Sequence, residues 1–202
     1  MNKLNNFYAL RSKLVSSTFQ AIPIGLTSPK DKLGKFEEDK LISGEYKSIS
    51  FPVIFRQKGG NKLVDILDTG WPNLYLISSK MKNVLDNDQL TGWKIFEISL
   101  WDKENKQVPN YFGLSVIGRC GSIDYTKSEI IEKRIVPEGP LCKFYKGLNA
   151  GLDTWDYSDF FLPEKSSGII VSSKAADALI KSKLTNVVLE NLMEIEILTR
   201  NV

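Results

Sequence analysis

Histidine is missing from all 202 residues. That absence removes the commonest general base near neutral pH, the usual zinc ligand and the middle member of a Ser-His-Asp arrangement. Cysteine is nearly missing too: Cys120 and Cys142 are the only two, too few for a disulfide scaffold and wrongly spaced for a metal half-site. Both are read as reduced thiols that pack as small hydrophobes, with no metal site. No stretch approaches the roughly 20 apolar residues of a membrane helix, so no membrane partner is expected. The opening Met1-Asn2-Lys3-Leu4-Asn5-Asn6-Phe7-Tyr8 lacks the apolar run and cleavage site of a secretory signal, and the expected location is the cytoplasm.

A strong excess of either charge is also lacking. The net charge is +3, and its 27 basic residues are scattered among 24 acidic ones with no basic stripe, which argues against a nucleic-acid partner. The spread is nevertheless uneven: residues 151 to 202 hold five Lys or Arg and eight Asp or Glu, a net of −3, leaving +6 for residues 1 to 150. An acidic contact face toward the C-terminal end is therefore possible. Cofactor motifs fail as well. Gly34-Lys35 is followed by Phe36 where a phosphate loop requires Ser or Thr, so the cofactor reading is none.

What is present suits one unit spanning residues 1–202, because domains commonly run about 100 to 200 residues. A short opening strand is expected from Asn6 to Leu10. Gly25 to Gly44, with Pro29, three glycines and the acidic run Glu37-Glu38-Asp39, reads as a long surface loop over about 25–45. Ser48 to Phe55, the Gly59-Gly60 turn and Lys62 to Leu67 together suggest a hairpin.

The most informative pattern is internal. Ile77-Ser78-Ser79-Lys80 recurs as Val171-Ser172-Ser173-Lys174, and at the same offset of 94 residues Leu90-Thr91-Gly92 matches Leu184-Thr185-Asn186 without a gap. Both copies, about 74–102 and 168–197, read as strand, helix, strand. A serine hydroxyl can accept from the unpaired N–H groups of a first helical turn, so Ser78 and Ser172 are expected helix caps. Met81, Val84 and Leu85, and likewise Ala175, Ala178 and Leu179, make one apolar stripe per helix. Gly92 and Asn186 tolerate the left-handed conformation and are expected to end the helices. Phe96, Ile98 and Leu100, then Met193, Ile195 and Ile197, alternate with polar residues as half-buried strands, and Tyr111 to Ile117 reads as a returning strand. The expected class is α+β, with a mixed, mostly antiparallel sheet and two duplicated strand-helix-strand units around one core.

The pieces Ile77-Ser78-Ser79-Lys80, Leu90-Thr91-Gly92-Trp93, Trp155-Asp156-Tyr157-Ser158-Asp159-Phe160-Phe161 and Gly168-Ile169-Ile170-Val171-Ser172-Ser173-Lys174 occur in that order and spacing. Over roughly Leu63 to Ile197 the pattern resembles the immunity protein eleven family of bacterial polymorphic-toxin systems. The resemblance implies a chain that is not an enzyme and that binds and neutralises a cognate protein toxin encoded by a neighbouring gene. A monomer or weak homodimer would serve that role.

Chemistry offers two further candidates. Gly118-Arg119-Cys120-Gly121 could present Cys120 as a nucleophile only if Arg119 activated it in place of the missing histidine; a tight strand-to-loop turn is the plainer reading. Asp153 to Phe161 interleaves Asp153, Asp156 and Asp159 with Trp155, Tyr157, Phe160 and Phe161. Three readings stand: aromatics plugging the core while Asp159 or Ser158 caps a turn, a carboxylate pair of a small hydrolase such as a glycosidase, or a toxin-binding patch of Asp153, Trp155, Asp156, Tyr157 and Asp159.

Overall fold

In the computed structural model, which describes residues 6–26, 30, 36–166 and 168–199, the two serine-led segments fold alike because the same residue types meet the same backbone needs. Ser78 Oγ accepts from the Met81 N–H at 3.1 Å and Ser172 Oγ from the Ala175 N–H at 3.2 Å, each filling an otherwise orphaned donor. After a short first helix α1 (Glu37–Ser43), these caps start α2 (Ser79–Asn87) and α3 (Ser173–Lys181). Met81, Leu85, Ala175, Ala178 and Leu179 are buried and Val84 half-buried, so both apolar stripes face inward.

Neither helix lasts until Gly92 or Asn186, in contrast to the sequence expectation. They close at Asp88 and Ser182, and the next residues, Gln89 and Lys183, take the left-handed conformation with φ of 48° and 47°. Gly92 (φ 82°) and Asn186 (φ 67°) form a second left-handed step that turns each loop into its strand. Residue type points to Gly and Asn because they enter that region cheaply; a Gln and a Lys held there by their surroundings carry no such mark.

The likeness extends through strand pairing. β4 (Ile66–Asp68), β5 (Tyr75–Ser78), β8 (Tyr111–Val116) and β6 (Trp93–Phe96) form one sheet in that order. β12 (Phe160–Pro163), β13 (Ile170–Ser172), β1 (Phe7–Ser12) and β14 (Val187–Asn191) repeat the order in a second sheet, to whose β12 edge β9 (Gly118–Cys120) adds in parallel. Ile66 lies opposite Ile77, and Phe160 opposite Val171, 94 positions further on in both strands. Ile77 faces Phe112 while Val171 faces Tyr8. The strand that completes the second unit thus comes from the start of the chain, where the sequence shows no repeat.

Two three-stranded sheets remain: β2 (Gln20–Ile24), β3 (Val53–Gly59) and β7 (Ile98–Trp101), and β10 (Glu129–Arg134), β11 (Leu141–Lys146) and β15 (Glu196–Leu198). They correct three expectations. Ser48–Phe55 and Lys62–Leu67 do not pair, because Lys62 returns past Thr18 and Ile66-Leu67 belongs to β4. The run Phe96 to Leu100 is broken at Glu97, whose carbonyl accepts from Val53, so β6 and β7 enter different sheets. Met193 to Ile197 is likewise interrupted, the Asn191 side chain accepting from the Met193 N–H at 2.9 Å before β15 begins. Alternation alone cannot show such breaks, since burial on either side is preserved.

The stretch 25–45 contains α1, whose Leu41 and Ile42 are buried; residues 27–29 and 31–35, with Gly34 and Lys35, lie outside the described residues. The main core joins both units, from Leu76, Ile77 and Met81 to Phe160, Val171 and Leu179, while Phe7, Phe161, Ile170, Leu192 and Ile195 form a second cluster on the other face of the five-stranded sheet. The class is α+β with mixed, mostly antiparallel sheets. Among the described residues no helix is long and apolar enough to cross a membrane.

Two buried carboxylates tie the units crosswise. Asp65 accepts from Ser78 Oγ (2.7 Å) in its own unit and from Thr185 N–H and Oγ1 (2.7 and 2.8 Å) in the other. Asp159, at the equivalent position, accepts from Ser172 Oγ (2.7 Å) and, across, from Thr91 N–H and Oγ1 (3.0 and 3.2 Å). Lys80 Nζ and Lys174 Nζ stand 3.6 and 3.3 Å from these carboxylates, and each also donates to a carbonyl of the opposite loop, Lys183 and Gln89 respectively. Burial alone would raise the Asp65 pKa, but the Thr185 and Ser78 donors and the Lys80 charge outweigh it and hold it below 3.8.

Because the folded carboxyl is more acidic than the unfolded one, its contribution is complete above the ordinary Asp range and is lost as pH falls through the folded value. Asp65→Ala is expected to cost about 3 kcal/mol at neutral pH, with a smaller difference at pH about 3, read by urea unfolding. A difference that grows on acidification contradicts this account.

Candidate functional site

The segment Asp153 to Phe161 begins in a 3-10 turn (Leu152–Thr154), turns through a left-handed Tyr157, and enters β12. Apolar contact and hydrogen bonding divide its residues sharply. Trp155 is half-buried, with ring centroids 5.0 Å from Phe7 and 5.5 Å from Phe161, and its Nε1 donates to the Ser158 carbonyl at 3.1 Å. It belongs to the second core cluster. Phe160 and Phe161 are fully buried.

Asp156 is exposed yet engaged: Oδ2 accepts from the Arg119 N–H at 2.9 Å, and Oδ1 from the Ser158 N–H at 3.1 Å and from Ser158 Oγ. Burial pushes its carboxyl up, but the Ser158 and Arg119 donors and the Arg119 charge bring it below the ordinary 3.8. Between these anchored residues Tyr157 adopts φ of 64° and stands 83% exposed, its ring 5.1 Å from that of Trp155. Asp153 is exposed one turn earlier.

Asp159 corrects the proposed contact set. It is buried and both oxygens are spent on the crosswise tie, so it does not face a partner. The sequence marked it by charge next to aromatics; its match to Asp65 at the 94-residue offset was the signal of its structural role. Arg119 has a structural role that its place in the sequence does not mark. Its guanidinium donates at 2.8 Å to the carbonyls of Val116, Gly118 and Ser43, joining β8, β9 and the last residue of α1 behind the Asp156 segment.

Chemically the site offers contact more readily than catalysis. A glycosidase acid needs a raised carboxyl pKa, whereas Asp156 is shifted the other way. Gly118-Arg119-Cys120 is strand β9, which passes through a single bridge at Gly121 into a loop, and burial, then the charges of Asp156 and Glu164, push the Cys120 thiol to about 11. Cys120 and Cys142 are both free thiols, and no group of three or more metal-ligating side chains is found among the described residues.

Two measurements check this division of labour. Trp155→Ala should cost about 3 kcal/mol in unfolding free energy through the cavity it leaves, while Tyr157→Ala should stay within about 0.5 kcal/mol of the native chain. A thiol reagent at neutral pH should modify half-buried Cys142 in the folded protein and reach Cys120 only on unfolding; equal rates would contradict the burial described.

Curated proteins give no match to the chain. The model of the immunity protein family Imm11 matches residues 13–194 of the 202. That match covers the Asp153 to Phe161 segment and all of both units except β1, and the chain belongs to the Imm11 immunity protein family.

Proposed function

We propose that this chain protects its own cell by binding a cognate bacterial toxin in the cytoplasm, without catalysis of its own, and that Asp153, Trp155, Asp156 and Tyr157 form part of the contact. Membership of the Imm11 family over residues 13–194 carries the reading. The choice of surface rests on Tyr157, a large aromatic held out at 83% exposure between residues fixed by Asp156 and Ser158. Aromatic side chains supply many interface hot spots, and one already positioned loses little freedom on binding. Asp153 and Asp156 at the acidic end of the chain suit a toxin with a basic face.

Protection requires long-lived binding, since a toxin released briefly acts many times; a nanomolar constant corresponds to about −12 kcal/mol. The toxin is sought in the neighbouring gene, and calorimetry against its product tests the reading. Tyr157→Ala is expected to weaken binding by about 2 kcal/mol, roughly thirtyfold, with the melting temperature unchanged. Asp153→Asn should mainly slow association, less so in high salt. A toxin that binds no better than an unrelated protein refutes the function; full affinity after Tyr157→Ala refutes only the surface.

A further inference from the structure

The sheet of β10, β11 and β15 has an open edge: among the described residues β10 pairs with β11 alone. Five of its six residues are exposed, and the hairpin also displays Ile130 (60%), Ile135 (57%), Val136 (56%) and Leu141 (59%). Edge strands are commonly guarded by outward charges. Here three of the four charges of β10 are engaged within one copy while staying exposed, Glu132 with Lys143 at 3.7 Å, Lys133 with Glu196 and Arg134 with the Gly139 carbonyl of its own hairpin, and the fourth, Glu129, stands opposite Lys146.

We propose that β10 pairs antiparallel with β10 of a second copy of this chain, joining two three-stranded sheets into one of six strands about a twofold axis at Ile131. A twofold axis perpendicular to an antiparallel ladder passes through a directly opposed pair, so the residue on it faces its own copy. Only two such registers pair five residues of β10: Ile131 on the axis pairs 129–133, and Glu132 on the axis pairs 130–134. The second sets two carboxylates face to face, which destabilises a sheet. The first sets Ile131 on Ile131 and places each Glu129 opposite the second copy's Lys133.

The register inside each copy extends this complementarity. Ile131 lies opposite Phe144, which lies opposite Leu198; Glu129 lies opposite Lys146, which lies opposite Glu196. Joined at Ile131, the first row becomes an apolar line across all six strands. The second becomes acid, base, acid, base: Glu196, Lys146, Glu129 and the second copy's Lys133. This self-matching order of charge selects a second copy as the occupant. The hairpin tip with Ile135 and Val136 then passes the second copy's turn at Tyr125–Lys127.

Sedimentation of the native chain over a wide concentration range should show a reversible monomer–dimer equilibrium, with amide exchange in β10 slowing as the dimer forms. Glu129→Lys and Lys133→Glu, each alone, should weaken the dimer about tenfold or more by setting like charges opposite one another. An equimolar mixture of the two variants should regain it, since both 129–133 pairs across the seam again join opposite signs. Glu129 is exposed, so Glu129→Lys should still fold, with a small loss of stability from facing Lys146 in its own copy, and it is sufficient if the second variant fails to fold. A native chain that stays monomeric, or a dimer indifferent to Glu129→Lys, overturns the proposal. If a monomeric native chain also loses toxin binding on Glu129→Lys, the edge belongs to the toxin interface instead.

Discussion

The crossed carboxylates Asp65 and Asp159 are the constraint on which the rest of the molecule depends. Each is buried, and a buried charge is tolerated only when its oxygens are filled. The donors come from both units: a capping serine from one, a loop threonine from the other. The same serine that starts a helix is thereby held against the carboxylate that fixes the opposite loop. Neither loop has its Asp partner within its own unit, so the two units are organised by mutual exchange and not simply by resting against each other. Gly92 shows how tight the contact is, since a side chain there would run into the Phe160 carbonyl oxygen; Asn186, its counterpart, donates to the corresponding Ile66 carbonyl at 2.9 Å.

The exposed aromatic surface inherits this rigidity. Asp159 follows Ser158, and Ser158 in turn holds Asp156, so Tyr157 lies between residues anchored from two directions. Arg119 carries the connection through β9 to the end of α1. A left-handed tyrosine costs backbone energy, and it persists here because both neighbours are fixed. For the toxin contact proposed above, such prior ordering lowers the conformational cost of binding.

Local chemistry was legible in the sequence wherever one residue type has one task. Ser78 and Ser172 announce helix starts, and the apolar stripes behind them show which faces turn inward. The 94-residue offset carried further than its short motifs suggested, since it holds in strand register and in the crosswise ties. Three kinds of information were hidden. Gln89 and Lys183 take left-handed φ because of their surroundings and not their type. Glu97 divides an alternating run between two sheets, which leaves the burial period intact. Asp159 beside aromatics looks the same in sequence whether it faces solvent or is sealed beneath a threonine. Only the equivalent acid at Asp65 separates those cases, and that comparison requires treating both copies as one design.

The position of β1 has a consequence for the order of assembly. It lies between β13 and β14, bonded to strands near the other end of the chain, whereas β8, its counterpart, is supplied within the first unit. During synthesis the first unit has all four of its strands once residue 116 has emerged, but Phe7–Ser12 must wait for residues 170–191. Until then an apolar strand has no native neighbour. Pairings so distant in sequence slow folding and leave edges exposed while they form. The newborn chain therefore passes through a half-built interval whose length is set by translation, with β1 housed only after strands made long after it.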